Sequence, residues 1–176
     1  MLFTETKLKG AFLIEVQKFE DDRGFFGRTF CQKEFEKYGL NANVAQANVS
    51  FNKKKGTLRG MHYQVDPYGE IKLVRCTRGA IYDVIIDLRP DSPTYKQWVG
   101  VLLKEGVYTM LYVPEGFAHG FETLDDETEV IYQVSQFYTP GSESGVRYDD
   151  PAFRIDWPLD VKVISDKDRS WTDYSF

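Results

Sequence analysis

The chain carries two histidines, and each stands in a dense string: His62 in TLRGMHYQ (residues 57–64) and His119 in YVPEGFAHGF (residues 112–121). Imidazole is the side chain whose ordinary titration lies close to neutral pH. Placed beside Arg59 in one string and a Pro-Glu-Gly turn in the other, the pair has the means for proton transfer or for holding a phosphate. The competing reading makes both of them hydrogen-bonded core residues.

The elements that must position these residues read as strands. Alternating or short apolar runs bounded by turn residues occupy 11–19, 43–51, 57–65, 71–77, 80–88, 97–103, 108–113, 118–123 and 129–137. One stretch, 31–38, reads as a helix, with Phe35 and Tyr38 three apart and Gly39 as its stop. Turn chemistry at 52–56, 78–79, 104–106 and 125–126 predicts hairpin-like connections. The run Lys53-Lys54-Lys55 falls inside the first of these and reads as a solvated loop tip. The pattern is all-β, a barrel or sandwich. The last ~30 residues are irregular and are expected to pack over the strands or to exchange with a partner.

Composition narrows the function. A chain of 176 residues with 42% hydrophobic and 15% aromatic content suits one domain spanning 1–176 and excludes disorder. A net charge of −5 argues against nucleic acid or an anionic membrane as partner, so any anionic ligand must be held by a local cationic cluster. Cys31 and Cys76 belong to no CxxC pair and read as free thiols. The start MLFTETKLKG has no signal-peptide pattern, and no apolar run approaches the ~18 residues of a membrane span. A cytoplasmic protein is expected.

Gly106-x7-Pro114-x-Gly116-x2-His119 resembles the second motif of the cupin superfamily, whose double-stranded β-helix, or jelly roll, usually holds a metal. The first cupin motif, with His-x-His and a following Glu, is replaced here by His62-Tyr63-Gln64 and by Lys72 seven residues before Gly79. An ammonium in place of a carboxylate repels a dication, and one imidazole per motif leaves too few ligands for a transition metal. The expectation is a metal-free cupin in which Lys72 faces an anion or a developing oxyanion.

Six strings complete a more specific match: DDRGFF (21–26), TLRGMHYQ (57–64), KLVRCTRGAIYDV (72–84), VPEGFAHGF (113–121), YDDPAFRIDWP (148–158) and ISDKD (164–168). In order, they resemble the signatures of the dTDP-4-dehydrorhamnose 3,5-epimerase family. The resemblance implies inversion at C3 and C5 of a nucleotide-linked 4-keto-6-deoxy-hexose, without cofactor, by a homodimer. Both carbons lie alpha to a ketone, so the chemistry needs a base, an enolate stabiliser and an acid on the opposite ring face.

By resemblance His62 is the base and Asp168 its orienting carboxylate, with Asp83 a competing orienter. Lys72 is then the enolate stabiliser and Tyr132 the general acid. Arg23, Arg59, His119 and Lys167 match positions that bind the diphosphate, Gln46 and Asn48 match polar nucleotide contacts, Tyr138 matches the aromatic that stacks on the base, and Glu143 matches a further ligand contact. The chain departs from the family pattern at Arg28, where Glu is usual, at Ala47 (Asp), Glu70 (Gln) and Tyr148 (Trp). Arg28 and Ala47 are expected near the nucleotide, where they put base preference at issue. Other readings are an epimerase acting at one carbon or on another nucleotide sugar, a non-catalytic sugar-nucleotide binding module and, most distantly, a metal-dependent cupin oxygenase.

Overall fold

Strands dominate because β-branched and aromatic residues recur between turns carrying Gly, Pro and Asp, and because two apolar faces need each other for cover. The computed structural model describes residues 1–174. In chain order its elements are β1 (Leu2–Glu5), β2 (Phe12–Glu15), β3 (Lys18–Asp21), β4 (Gly24–Gly27), α1 (Gln32–Lys37), β5 (Gln46–Asn52), β6 (Leu58–Gln64), β7 (Lys72–Arg78), β8 (Ala80–Asp87), β9 (Trp98–Lys104), β10 (Thr109–Val113), β11 (Phe117–Thr123), β12 (Thr128–Val134), β13 (Glu143–Gly145) and α2 (Asp166–Arg169). A six-stranded sheet runs β1-β2-β10-β7-β12-β5, a five-stranded sheet runs β13-β6-β11-β8-β9, and β3 and β4 form a separate hairpin.

From β5 onward the chain changes sheet at nearly every step, the two sheets taking strands alternately except at β8 and β9. This is the jelly roll expected of a cupin-type barrel. It also corrects the reading of the turns. None of the connections at 52–56, 78–79, 104–106 and 125–126 closes a hairpin; each carries the chain from one sheet to the other. The run expected at 11–19 divides as well, since β2 pairs with β1 and β10 whereas β3 turns away to pair with β4.

Three apolar clusters fill the layers. Between the sheets lie Val74, Ile81, Ile85, Leu103, Leu111, Phe117 and Val130. The outer face of the six-stranded sheet is covered by α1 and the N-terminal strands, with Phe35 buried against Ile14, Leu73 and Tyr112. The outer face of the five-stranded sheet is covered by the irregular C-terminal stretch, where Phe153 packs with Val84, Ile86 and Trp98 and the Trp98 indole donates to the Phe153 carbonyl at 2.8 Å. The C-terminal residues therefore lie over their own strands. Cover on both faces is why seven of the eight residues of β8 are buried and its sequence shows no alternation. Cys76 and Cys31 are both free, and burial pushes the Cys76 thiol up to about 11, which makes it inert.

Candidate active site

The two histidine strings become neighbouring strands. β6 and β11 pair antiparallel with His62 directly opposite His119, and the register shifts between His119 and Phe121. Glycine permits the contact. A Cβ on Gly60, whose φ is +127°, would lie 2.5 Å from the Gly120 Cα, and one on Gly120 would lie 2.7 Å from the Arg59 carbonyl. No larger residue lets the strands approach this closely.

Each histidine is gripped by an aspartate. His62 Nε2 lies 2.6 Å from Asp168 Oδ1, and Asp168 Oδ2 accepts the Gly60 backbone N–H at 3.2 Å. Asp168 belongs to the short helix α2, whose N-cap Ser165 accepts the Asp168 N–H at 3.0 Å. Burial raises the proton affinity of Asp168, but the hydrogen bond and charge of His62 together with the Gly60 amide outweigh it and hold the carboxyl below its ordinary value. An ionised partner that accepts from Nε2 leaves Nδ1 as the basic nitrogen of His62. The second pair is His119 Nε2 with Asp83 Oδ1, also 2.6 Å. Asp83 is therefore not an orienter of His62: it stands opposite Phe121 on β8, within reach of His119, and its second oxygen has no hydrogen-bond partner among the described residues.

The opposite wall comes from the six-stranded sheet. Tyr132 on β12 is aligned with Asn48 on β5 and Val74 on β7, and Lys72 is aligned with Val134. Burial raises the Tyr132 pKa, the Glu70 charge adds to this and Arg59 opposes it, so the phenol holds its proton at neutral pH. Lys72 is buried, heads β7, and forms an ion pair with Glu70.

These walls enclose a cavity of about 560 Å³ lined by Arg59, His62, Lys72, His119, Tyr132, Lys167 and Asp168. It continues into a smaller one of about 160 Å³ that shares His62, Lys72 and Tyr132 and adds Gln46, Asn48, Glu70, Tyr138 and Glu143. Arg59 donates to Asn52 Oδ1 at 2.7 Å, Gln46 accepts the Tyr138 N–H at 2.9 Å, and Lys167 pairs with Glu143. Five cationic or cation-forming groups thus converge in a chain whose total charge is negative. An anionic ligand with a flat ring fits such a lining.

Three expected positions fall elsewhere. Arg23 is at the tip of the β3–β4 hairpin, almost wholly exposed and paired with Asp21. Arg28 pairs with Glu34 beside α1. Ala47 alternates with Gln46 and Asn48 and so points to the outer face of its sheet, away from the nucleotide contacts expected of it. Within one chain neither Arg28 nor Ala47 reaches the cavity, and base preference does not turn on them there. Conversely, the sequence reading missed Ser165, Asn52, Gln64 and Trp171. The Ser-x-x-Asp spacing at 165–168 is a cap signal that pointed to the first. The ring of Trp171 stands 6.5 Å from that of His62, a contact no local pattern announces.

The lining does not suit a metal. The position where a cupin presents a carboxylate holds the Lys72 ammonium, and both imidazoles already give a nitrogen to aspartate. Among the described residues no group of three or more His, Cys, Asp or Glu is arranged to hold an ion. Nor is any helix among them long and apolar enough to cross a membrane.

Comparison with known proteins gives one consistent result. A family model described as dTDP-4-dehydrorhamnose 3,5-epimerase matches residues 5–175. The enzymes of that name from Shigella flexneri and Methanothermobacter thermautotrophicus are 43% and 44% identical to the chain, over 93% and 96% of it and 91% and 92% of their own lengths. The crystal structure of the Bacillus anthracis enzyme, with TDP and PPi bound, superposes with a TM-score of 0.94 at 43% identity, covering 98% of this chain and 99% of that one. A 3'-monoepimerase from Streptomyces bikiniensis in complex with dTDP-quinovose reaches 0.87 at 34% identity, covering 96% and 85%.

Proposed function

The chain belongs to the dTDP-4-dehydrorhamnose 3,5-epimerase family, and from that membership we propose how its site carries out the epimerisation. The substrate is a dTDP-linked 4-keto-6-deoxy-hexose. His62, held through Nε2 by the ionised Asp168 so that Nδ1 is the free nitrogen, removes the proton alpha to the ketone. Lys72 stabilises the enolate oxygen, and Tyr132 returns a proton to the opposite ring face. Arg59, His119 and Lys167 hold the diphosphate, while Gln46, Asn48, Tyr138 and Glu143 form the nucleoside end.

One observation carries this reading. His62 and Tyr132 stand on different sheets and face one cavity. A base and an acid on opposite walls are what inversion at a ring carbon requires. The fold does not distinguish action at two carbons from action at one, since the 3'-monoepimerase shares it. The identities above 40% to 3,5-epimerases favour both carbons. Incubation with dTDP-4-keto-6-deoxyglucose in heavy water tests the point: deuterium is expected at C3 and at C5 of an inverted product, and label at one carbon alone would make the chain a single-site epimerase.

The whole chain works as one unit in the cytoplasm, as a homodimer and without a cofactor. With Lys72 at the cupin ligand position, exhaustive chelation should leave turnover unchanged. Loss of activity that added metal restores would defeat that part of the proposal.

A further inference from the structure

Glu70 stands at the junction of the catalytic lysine and the nucleoside end of the cavity. Its Oε1 takes the Lys72 ammonium in an ion pair, with only 10% and 13% of the two side chains exposed. Its Oε2 accepts a hydrogen bond from Gln64 Nε2 at 3.2 Å. Gln64 is itself buried, and its Oε1 accepts the Thr139 N–H at 2.8 Å and the Ser142 hydroxyl at 3.0 Å. A connected polar path therefore runs from Lys72 through Glu70 and Gln64 to the loop that carries Tyr138 into β13 and Glu143. The family pattern that the sequence resembles often has Gln at this position, so the carboxylate is a feature of this chain.

We propose that Glu70 is a positioning residue for the epimerisation: it anchors the Lys72 ammonium at the cavity wall and sets a negative charge in the cavity that Lys72 and Tyr132 share. This rests on the roles assigned to Lys72 and Tyr132 above. An ammonium has three N–H donors, and a charge-assisted bond to Glu70 fixes one of them. The remaining two are left to meet an enolate oxygen. A lysine stem has four rotatable bonds, so an unanchored ammonium would have to be ordered anew with each substrate.

The charges around Tyr132 set the second effect. The cationic or cation-forming groups that line the cavity with it are Arg59 and His62 on β6, His119 on β11, Lys72 on β7 and Lys167 on α2. The anionic groups are Asp168 beside His62, Glu143 beside Lys167 and Glu70 beside Lys72, with the Tyr138 phenol near Glu143. After burial, the Glu70 charge is the larger influence that raises the proton affinity of Tyr132, and Arg59 acts against it. Removing that charge should ease loss of the phenolic proton.

Glu70→Gln is the informative variant because the amide keeps the shape and can still accept from Gln64. Ultraviolet difference titration should show one tyrosine ionising at lower pH in Glu70→Gln than in the parent, and Tyr132→Phe should identify it by its absence. With the dTDP-4-keto-6-deoxy-hexose, kcat should fall roughly tenfold with KM little changed, and the alkaline limb of the pH profile should move to lower pH. Glu70→Ala should lose more activity than Glu70→Gln. An unmoved tyrosine titration, or parent kcat in both variants, would overturn the proposal. Should the parent protein fail to turn over this substrate, the assignment of function fails instead, and the titration still reports whether Glu70 governs Tyr132.

Discussion

Inversion at a carbon alpha to a ketone requires the proton to leave by one ring face and return by the other, and the two steps can be separated by removing one proton carrier at a time. His62→Ala should abolish both solvent exchange and inversion, by on the order of 10²-fold or more. Tyr132→Phe keeps the ring and loses the proton, so the enolate is reprotonated by the His62 imidazolium on the side it came from. Deuterium would then enter at C3 or C5 with configuration unchanged. If Tyr132→Phe epimerises at the parent rate, another residue supplies the acid. Much of this residue-scale picture was legible because scarcity singled out His62 and His119, and because an ammonium at a ligand position made Lys72 conspicuous. The choice of Asp168 over Asp83 came from the resemblance and not from local pattern. It depends on the register of β8 against β11 and on where α2 lands, and neither is encoded near His62.

Elements were legible to the extent that their signals are local. Alternation and turn residues located most strands and the helix at α1, but a turn signal says that the chain reverses and not which sheet receives it. Four corners therefore read as hairpins. β13, with the sequence ESG, has no apolar pattern and exists through its pairing with Gln64, Tyr63 and His62. The segment leading to α2 is held in a similar non-local way. The Leu58 N–H donates to the Val163 carbonyl and the Lys162 N–H to the Gly56 carbonyl, each at 2.8 Å, and the Leu159 N–H donates to Glu122 Oε2 at 3.1 Å. Glu122 is fully buried and its Oε1 has no partner among the described residues. Burial pushes its carboxyl up to about 7, the Leu159 amide lowers it and Asp160 raises it further. Because the folded value lies above the unfolded one, the native state holds the extra proton. Stability is therefore greatest below the unfolded value, near 4.5, and declines as pH rises to about 7. Glu122→Gln keeps an acceptor for Leu159 and carries no charge. Its thermal stability should exceed the parent's by about 1–3 kcal/mol above neutral pH, and the difference should shrink toward pH 5. Parallel stability curves for the two proteins would show that Glu122 stays ionised without penalty.

At the scale of the molecule, the β3–β4 hairpin stands out because it has so little of its own chain to rest on. Two isolated strands are marginal in water. Phe25 meets Tyr108 edge-on at 4.9 Å, yet Phe19 and Phe26 are 61% and 68% exposed. Val49 and Phe51 are likewise exposed on β5, an edge strand of the six-stranded sheet. Exposed apolar side chains on a hairpin and on a sheet edge would suit a surface covered by another chain. A second copy is the occupant expected of a homodimer, and it would resolve the position of Arg23, which matches a diphosphate-binding residue but is exposed and bound to Asp21. Arg23 would then serve the cavity of the other copy. The chain should sediment as a dimer, and Arg23→Ala should raise KM more than it lowers kcat. Co-expression of Arg23→Ala with His62→Ala decides whether the arginine acts across the interface. In a mixed dimer, one site would join His62 from the first variant to Arg23 from the second, so random assortment would restore roughly a quarter of the sites. If Arg23 acts within its own chain, every site in the mixture lacks one group or the other, and activity stays at the average of the two variants measured alone.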